Sequence, residues 1–202
     1  MNKLFTTFAA AAIAAGLFAT AATAASVSPS QQVSPSQGVV IVPASTSANQ
    51  DNVKAPGFKR GKIVNFETRA ATGDIIINTR QNRLYYVLGD GQAVMYRVAT
   101  AKRGFEWKGS HKVSAKAKWP SWSPPSEMRA RHPELPTFMA GGPENPLGAR
   151  ALYLGSSIYR IHGTNAPDSI GKAASSGCIR MLNEDVTELY KFVKLGARVT
   201  VL

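Results

Sequence analysis

Three short, strand-like segments, the first of them a β-branched run, follow one another between residues 74 and 99, and they restrict the fold more than any other feature of the chain. Asp74-Ile75-Ile76-Ile77-Asn78 is a compact apolar run of strand length. Leu84 to Leu88 and Ala93 to Ala99 flank Gly89-Asp90-Gly91, a turn signal between two strand-like stretches. Together they read as an antiparallel meander. The pattern returns at Ala151-Leu152-Tyr153-Leu154, which turns through Gly155-Ser156-Ser157 into Ile158-Tyr159-Arg160-Ile161. There Ile158 and Arg160 face one way and Tyr159 and Ile161 the other, so His162 stands at the end of a strand. Further on, Val186, Leu189, Tyr190 and Val193 keep helical spacing. Asn183 is expected to cap that helix, Glu184 and Asp185 suit its N-terminal end, Gly196 ends it, and Ala197 to Leu202 reads as a closing strand. The expected class is mainly β.

From Trp107 to Pro146 the periodicity lapses. The stretch is rich in Pro, Trp and charge, including Trp119-Pro120-Ser121-Trp122-Ser123-Pro124-Pro125, and reads as a long irregular loop of the kind that lines or covers a site. Trp119, Trp122 and Tyr153 are candidate groove-wall contacts; each could equally anchor the loop to the core.

The N-terminal quarter has a different character. Lys3 precedes an apolar, Ala-rich run from Leu4 to about Ala19, and Ala22-Thr23-Ala24 supplies the small residues of a cleavage site. Residues 1–24 are therefore expected to be a signal peptide, cut after Ala24 or Ala25. A retained anchor is the competing reading, but the run is short and no basic stop-transfer cluster follows it. Residues 25–57 are Ser, Pro and Gln-rich without helical or strand period, and read as a disordered linker. The remaining 58–202, with a core at 73–202, is long enough for one domain with its own hydrophobic core. The formal charge is +12, of which the leader carries only Lys3. Such a balance favours anionic cell-wall polymer or membrane surface, or simply solubility. No RNP-like, zinc-finger or helix-turn-helix pattern accompanies it, so nucleic acid is not an expected partner. No integral membrane segment is expected after cleavage.

Cys178 is the only cysteine. In an exported chain it cannot be half of an internal disulfide, so it is either incidental or a nucleophile. A free thiol has a pKa near ~8.5, and an imidazole that takes its proton raises the nucleophilic fraction. His162, sixteen residues upstream, is the candidate base. The Gly163 carbonyl could accept the other ring N–H and hold the tautomer. Gly177 allows a tight turn whose backbone N–H groups face an oxyanion. Arg180, two residues beyond the thiol, suits a substrate carboxylate. Each residue has a plainer alternative: a satisfied strand-end histidine, a small buried cysteine, a structural arginine paired with Asp168, Glu184 or Asp185. A zinc site from Cys178, His111, His132 and His162 lacks the close ligand spacing of such sites. Neither metal nor cofactor is expected.

In combination, Ile161-His162-Gly163-Thr164-Asn165, the sixteen-residue spacing and Ser175-Ser176-Gly177-Cys178-Ile179-Arg180-Met181 resemble the signature of the L,D-transpeptidase catalytic domain, the YkuD domain, in its Gram-negative envelope form. The resemblance runs from about Gly73 to Leu202. It includes Gly141-Gly142-Pro143-Glu144-Asn145-Pro146-Leu147-Gly148, which is similar to the family's glycine-rich approach to the active site.

It implies a β-sandwich of mixed sheets with a few short helices, and ping-pong acyl transfer on peptidoglycan. Cys178 would attack the carbonyl of the position-three diamino acid of a tetrapeptide stem, release D-alanine and hold a thioester, with His162 as general base and acid and Gly163 orienting it. A neighbouring stem's amine would give a cross-link, an outer-membrane protein's amine a tether, and a free D-amino acid an exchange. Gly177 would contribute to the oxyanion site, and Ser176, Thr164, Tyr153 and Arg180 would contact substrate. The implied location is the periplasm and the implied role cell-wall organisation and cell shape. Two positions depart from the broadest family pattern: Ser176 stands where a second histidine is common, and Arg180 where Asn is. A hydrolase on the same scaffold, an L,D-carboxypeptidase or an endopeptidase, is the alternative, and a non-catalytic wall-binding module a remote one.

Overall fold

A computed structural model describes residues 57–202. The expected signal peptide (1–24) and all of the expected linker (25–57) except its last residue lie outside the described residues.

The first four strands are β1 (Lys62–Asn65), β2 (Ile75–Asn78), β3 (Arg83–Gly89) and β4 (Gln92–Arg97). As expected, β2, β3 and β4 form an antiparallel meander. Its second turn has positive φ at Asp90 and Gly91, the geometry that matches strand twist in a tight hairpin. Strand β1 adds to the outer edge of β4. The short strand β5 (Thr100–Ala101) then leads into β6 (Gly109–Lys118).

Strand β6 corrects the expectation of irregular chain from Trp107 onward, and at ten residues it is the longest described strand. Its sequence, Gly-Ser-His-Lys-Val-Ser-Ala-Lys-Ala-Lys, buries only Val113 and has little intrinsic β preference. Pairing on both edges makes it a strand. Residues 109–112 pair with β11 (Arg198–Val201), and 113–118 with β7 (Arg150–Leu154). Irregular chain is confined to roughly 119–149, interrupted by the helix α1 (Ser126–Arg131), none of whose residues is buried.

After β7 come β8 (Arg160–His162), β9 (Ala173–Ser175), β10 (Ile179–Arg180) and the helix α2 (Asn183–Phe192). The large sheet runs β1-β4-β3-β2-β11-β6-β7-β8-β10, and β5 pairs with β9 separately. Pairing is mixed: β11 lies parallel to β2, and β10 parallel to β8. The inward faces of both sheet halves meet in one core, with Ile75, Ile77, Leu84 and Val94 from one side and Leu152, Leu154, Ile161 and Ile179 from the other. Val186 and Leu189 of α2 complete it. Each such side chain contributes roughly 1.5–3 kcal/mol by leaving water. A second cluster, in which Phe66 stacks on Tyr85 at 4.4 Å, covers the outer face of the meander. Among the described residues no helix is long and apolar enough to cross a membrane.

Helix α2 begins one residue earlier than the expected cap allows: Leu182 is the N-cap position and Asn183 the first helical residue. The Asn183 carboxamide is engaged elsewhere, in the site described next.

Candidate active site

The parallel pair β8–β10 brings the two sequence motifs together. Ile161 sits opposite Ile179, and His162 opposite Arg180. Side chains alternate along strands, so Ile161 and Ile179 enter the core while His162, Arg180 and Cys178, just before β10, share the other face. Tyr153 of β7, opposite Arg160, belongs to it as well.

His162 is 4% exposed. Its Nδ1 lies 2.6 Å from the Gly163 carbonyl oxygen. A carbonyl only accepts, so Nδ1 carries the proton and Nε2 is left as the basic nitrogen. Burial is the main influence on the ring and disfavours its cation. The Gly163 and Leu147 carbonyls work against this, Arg180 and Arg160 reinforce it, and the pKa is pushed down to about 4. At neutral pH the imidazole is unprotonated, with its basicity lowered by these surroundings.

Cys178 is half-buried, and its Sγ has the Ile158 carbonyl oxygen at 3.9 Å. The thiol is not hydrogen-bonded to His162. The turn that carries it is pinned from within, since the Ser175 hydroxyl donates to the Cys178 carbonyl at 2.5 Å and accepts the Gly177 N–H at 3.2 Å. Gly177 has φ +113, and a Cβ there would come within 2.7 Å of the Tyr159 ring. No residue with a side chain fits. The Gly177 N–H, expected to face an oxyanion, is thus engaged internally; the N–H groups of Ser176 and Cys178 have no acceptor among the described residues. Behind the turn, Trp107 Nε1 donates to the Gly177 carbonyl at 2.8 Å, and its ring stacks on Tyr159 at 4.2 Å.

A second clamp holds the histidine. Asn183 Oδ1 accepts the N–H groups of Ala149 and Thr164 at 2.9 and 3.1 Å, and Nδ2 donates to the Thr164 carbonyl at 3.0 Å. Gly148 and Gly163 pass so close to this carboxamide that a Cβ on either would collide with it. The first residue of α2 therefore ties the glycine-rich approach to the His162-Gly163-Thr164 segment. Asn145, 1% exposed, closes the approach from the other side through the Met139 and Ala140 carbonyls.

The other expected contacts divide. Tyr153 lies beneath the Arg160 guanidinium, 5.2 Å from its ring centroid, and Ser176 is half-buried with its hydroxyl unpartnered among the described residues. Thr164 is buried, and its hydroxyl accepts the Ala166 N–H at 3.0 Å. It borders a cavity of about 270 Å³ with Pro143, Asn165 and Asn183. Arg180 has none of the expected acidic partners: Asp185 pairs with Arg60 at 2.6 Å. Burial lowers the Arg180 pKa, opposed by the charge of a Cys178 thiolate. A cavity of about 290 Å³ behind the turn is lined by Gly177, Ile179 and Trp107 but by none of Cys178, His162 and Arg180; it is not where the thiol points.

The excursion reaches the same region. Trp122 and Met139 exchange backbone hydrogen bonds at 2.8 Å and close its base. From α1 the Arg131 guanidinium lies 5.3 Å from the Phe105 ring centroid, in the loop against the Gly177 turn. Trp119 and Phe138 remain 44% and 59% exposed.

The family model of the YkuD L,D-transpeptidase catalytic domain matches residues 72–201. The chain belongs to this family. YbiS of Escherichia coli (strain K12), a probable L,D-transpeptidase by name, is 35% identical over 155 residues, 70% of this chain and 50% of that protein. YqjB of Bacillus subtilis (strain 168), also named as an L,D-transpeptidase, is 36% identical over 133 residues, 63% of this chain and 69% of that one. A crystal structure of a mutant Enterococcus faecium L,D-transpeptidase superposes with a TM-score of 0.52 over 66% of this chain and 50% of that one, at 15% identity. That likeness speaks for the fold alone. The chain spans about half the length of the E. coli relatives it matches.

Within this L,D-transpeptidase domain, sequence reasoning missed Asn183 as a clamp and Trp107 and Tyr159 as the buttress of the turn, and it placed Arg160 on a strand face without connecting it to the thiol. Only Arg160 left a signal: strand alternation puts it on the face of His162. Trp107 meets Gly177 seventy positions away, out of reach of any local pattern.

Proposed function

We propose that this chain is a peptidoglycan L,D-transpeptidase of the cell envelope, exported to the periplasm by its N-terminal segment, with Cys178 as nucleophile and His162 as its base. The observation that carries the reading is the shared face of β8 and β10, to which strand pairing brings both the half-buried thiol and an imidazole whose Nδ1 is held by the Gly163 carbonyl. Cys178 loses its proton to His162 Nε2 and attacks the carbonyl of the position-three diamino acid. The oxyanion faces the free N–H groups of the turn, which stabilise charge as it develops. His162 then gives the proton to the departing D-alanine amine, leaving a thioester. An incoming amine, from a stem, an outer-membrane protein or a D-amino acid, loses its proton to His162 and takes the acyl group.

Purified protein incubated with tetrapeptide muropeptides should yield cross-linked dimers, exchanged stems or protein-linked stems by mass spectrometry. Cys178→Ser should lower product formation at least about a thousandfold without changing the melting temperature. Tripeptides as sole product would make the enzyme a hydrolase. Turnover retained in Cys178→Ser would remove the cysteine from the mechanism, and absence of any product with the intact protein would leave a wall-binding module.

A further inference from the structure

The catalytic face carries two cations and no anion to meet them. Arg60 meets Asp185, and the His132 ring meets Glu134, away from this face. Arg180 makes no side-chain hydrogen bond or ion pair with any described residue. Arg160 lies two residues before His162 on β8, on the same face. Its Nη1 donates to the Ile158 carbonyl at 3.1 Å, the same oxygen that lies 3.9 Å from Cys178 Sγ. One carbonyl thus joins guanidinium and thiol. The planar group is laid out over Tyr153, and its Nε is buried with no partner. A buried guanidinium N–H without an acceptor is costly, and a carboxylate is the acceptor that a planar fork fits in two places.

We propose that Arg160 and Arg180 form a clamp for a carboxylate of the acyl donor beside the scissile carbonyl, with Arg160 the specificity-determining residue. This rests on the transpeptidase reading of Cys178. A tetrapeptide donor offers two such groups: the carboxylate of the departing D-alanine and, where the diamino acid carries one, its side-chain carboxylate. Binding either anion offsets the two charges that face His162 and so favours the ring's accepting a proton when the substrate is in place. The other charged groups beside this face do not replace the clamp. Arg150 is turned to the Ala149 carbonyl and the Tyr190 ring, and Glu144 and Asp168 are exposed.

The chain has a single cysteine, so alkylation reads one site. The rate ratio of iodoacetate to iodoacetamide should exceed that of free cysteine, and Arg160→Gln should lower the ratio about tenfold. Arg160→Lys, which keeps the charge without the fork, should restore part of it. A ratio unchanged in folded Arg160→Gln, or equally low in Arg160→Lys, overturns the clamp. Acyl-enzyme formation with tetrapeptides amidated at D-alanine or at the diamino acid then identifies the source. Amidation of the recognised carboxylate should abolish the difference between intact protein and Arg160→Gln, and a difference that survives both amidations overturns the proposal. If no tetrapeptide acylates the intact protein, the transpeptidase reading fails, while the alkylation ratio still decides the clamp.

Discussion

Glu188 and His162 are both buried ionisable groups that resist protonation, and they do so in opposite surroundings. Glu188, 7% exposed on α2, grips the lead-in to β1. Its carboxylate accepts the N–H groups of Lys59, Arg60 and Gly61 and the Tyr96 hydroxyl. Burial pushes its pKa up, but these donors outweigh it and hold it below the usual carboxylate range. Around His162 the balance is reversed, with desolvation and two unpaired guanidiniums meeting only two carbonyls. A polar cluster that meets all its own needs fastens the chain, and one that leaves charge unmet marks where an anion enters.

Three changes put this contrast at risk. The largest effect is expected from Asn183→Ala, because that carboxamide ties the glycine-rich approach to the His162-Gly163-Thr164 segment. Freeing the Ala149 and Thr164 N–H groups should destabilise by about 2 kcal/mol and slow acyl-enzyme formation about a hundredfold through misplacement of His162. Urea midpoints and stopped-flow acylation measure the two. An acylation rate unchanged in the folded variant would mean that α2 does not hold the site.

Next comes Glu188→Gln, which leaves an amide facing three N–H donors. It should lose roughly 2–3 kcal/mol of stability while the folded protein turns over within about twofold of the original. Equal losses of rate and stability would erase the distinction between the two clusters.

The smallest effect is expected from pH. His162 binds a proton below about 4 in the folded protein and near 6.5 when unfolded. Between those values the unfolded chain binds the extra proton, so stability falls as pH drops through that window and is flat above it. Chemical denaturation should show a decline on the order of 1–2 kcal/mol from pH 6.5 to 5, absent in His162→Gln. Glu188 contributes its own loss at lower pH, beginning near the usual carboxylate value and continuing below it, which separates the two clusters along one titration.

The meander, the strand ending at His162 and the helix at 183–192 were legible because each repeats a local period. Cys178 and His162 stood out as candidates, since a lone thiol and a motif-borne histidine are chemical signals independent of the fold. Strand β6 was not legible. Its small and charged residues become a strand only through partners at 150–154 and 198–201. Asn183 was misread for a related reason: an Asn ahead of a helical run suits a cap, but two glycines brought near by tertiary structure give its carboxamide better use. The sequence also shows cations without showing which are paired. That Asp185 is committed to Arg60, and so withheld from Arg180, follows only from the packing of the lead-in segment on α2.

The position of β11 has a consequence for the order of assembly. It lies between β2 and β6 although it is the latest strand in sequence, so until residues 198–201 arrive the backbones of the two halves are joined through the chain that follows β4, by the β5–β9 pair and the Ala99–Arg180 bridge. The β8–β10 pair, and with it the face that joins thiol to imidazole, can form on its own side. Closing the large sheet waits for the last strand, a high-contact-order step that slows folding. Until then the large sheet stands in two halves, held by the short pairings around β5 rather than by a continuous ladder.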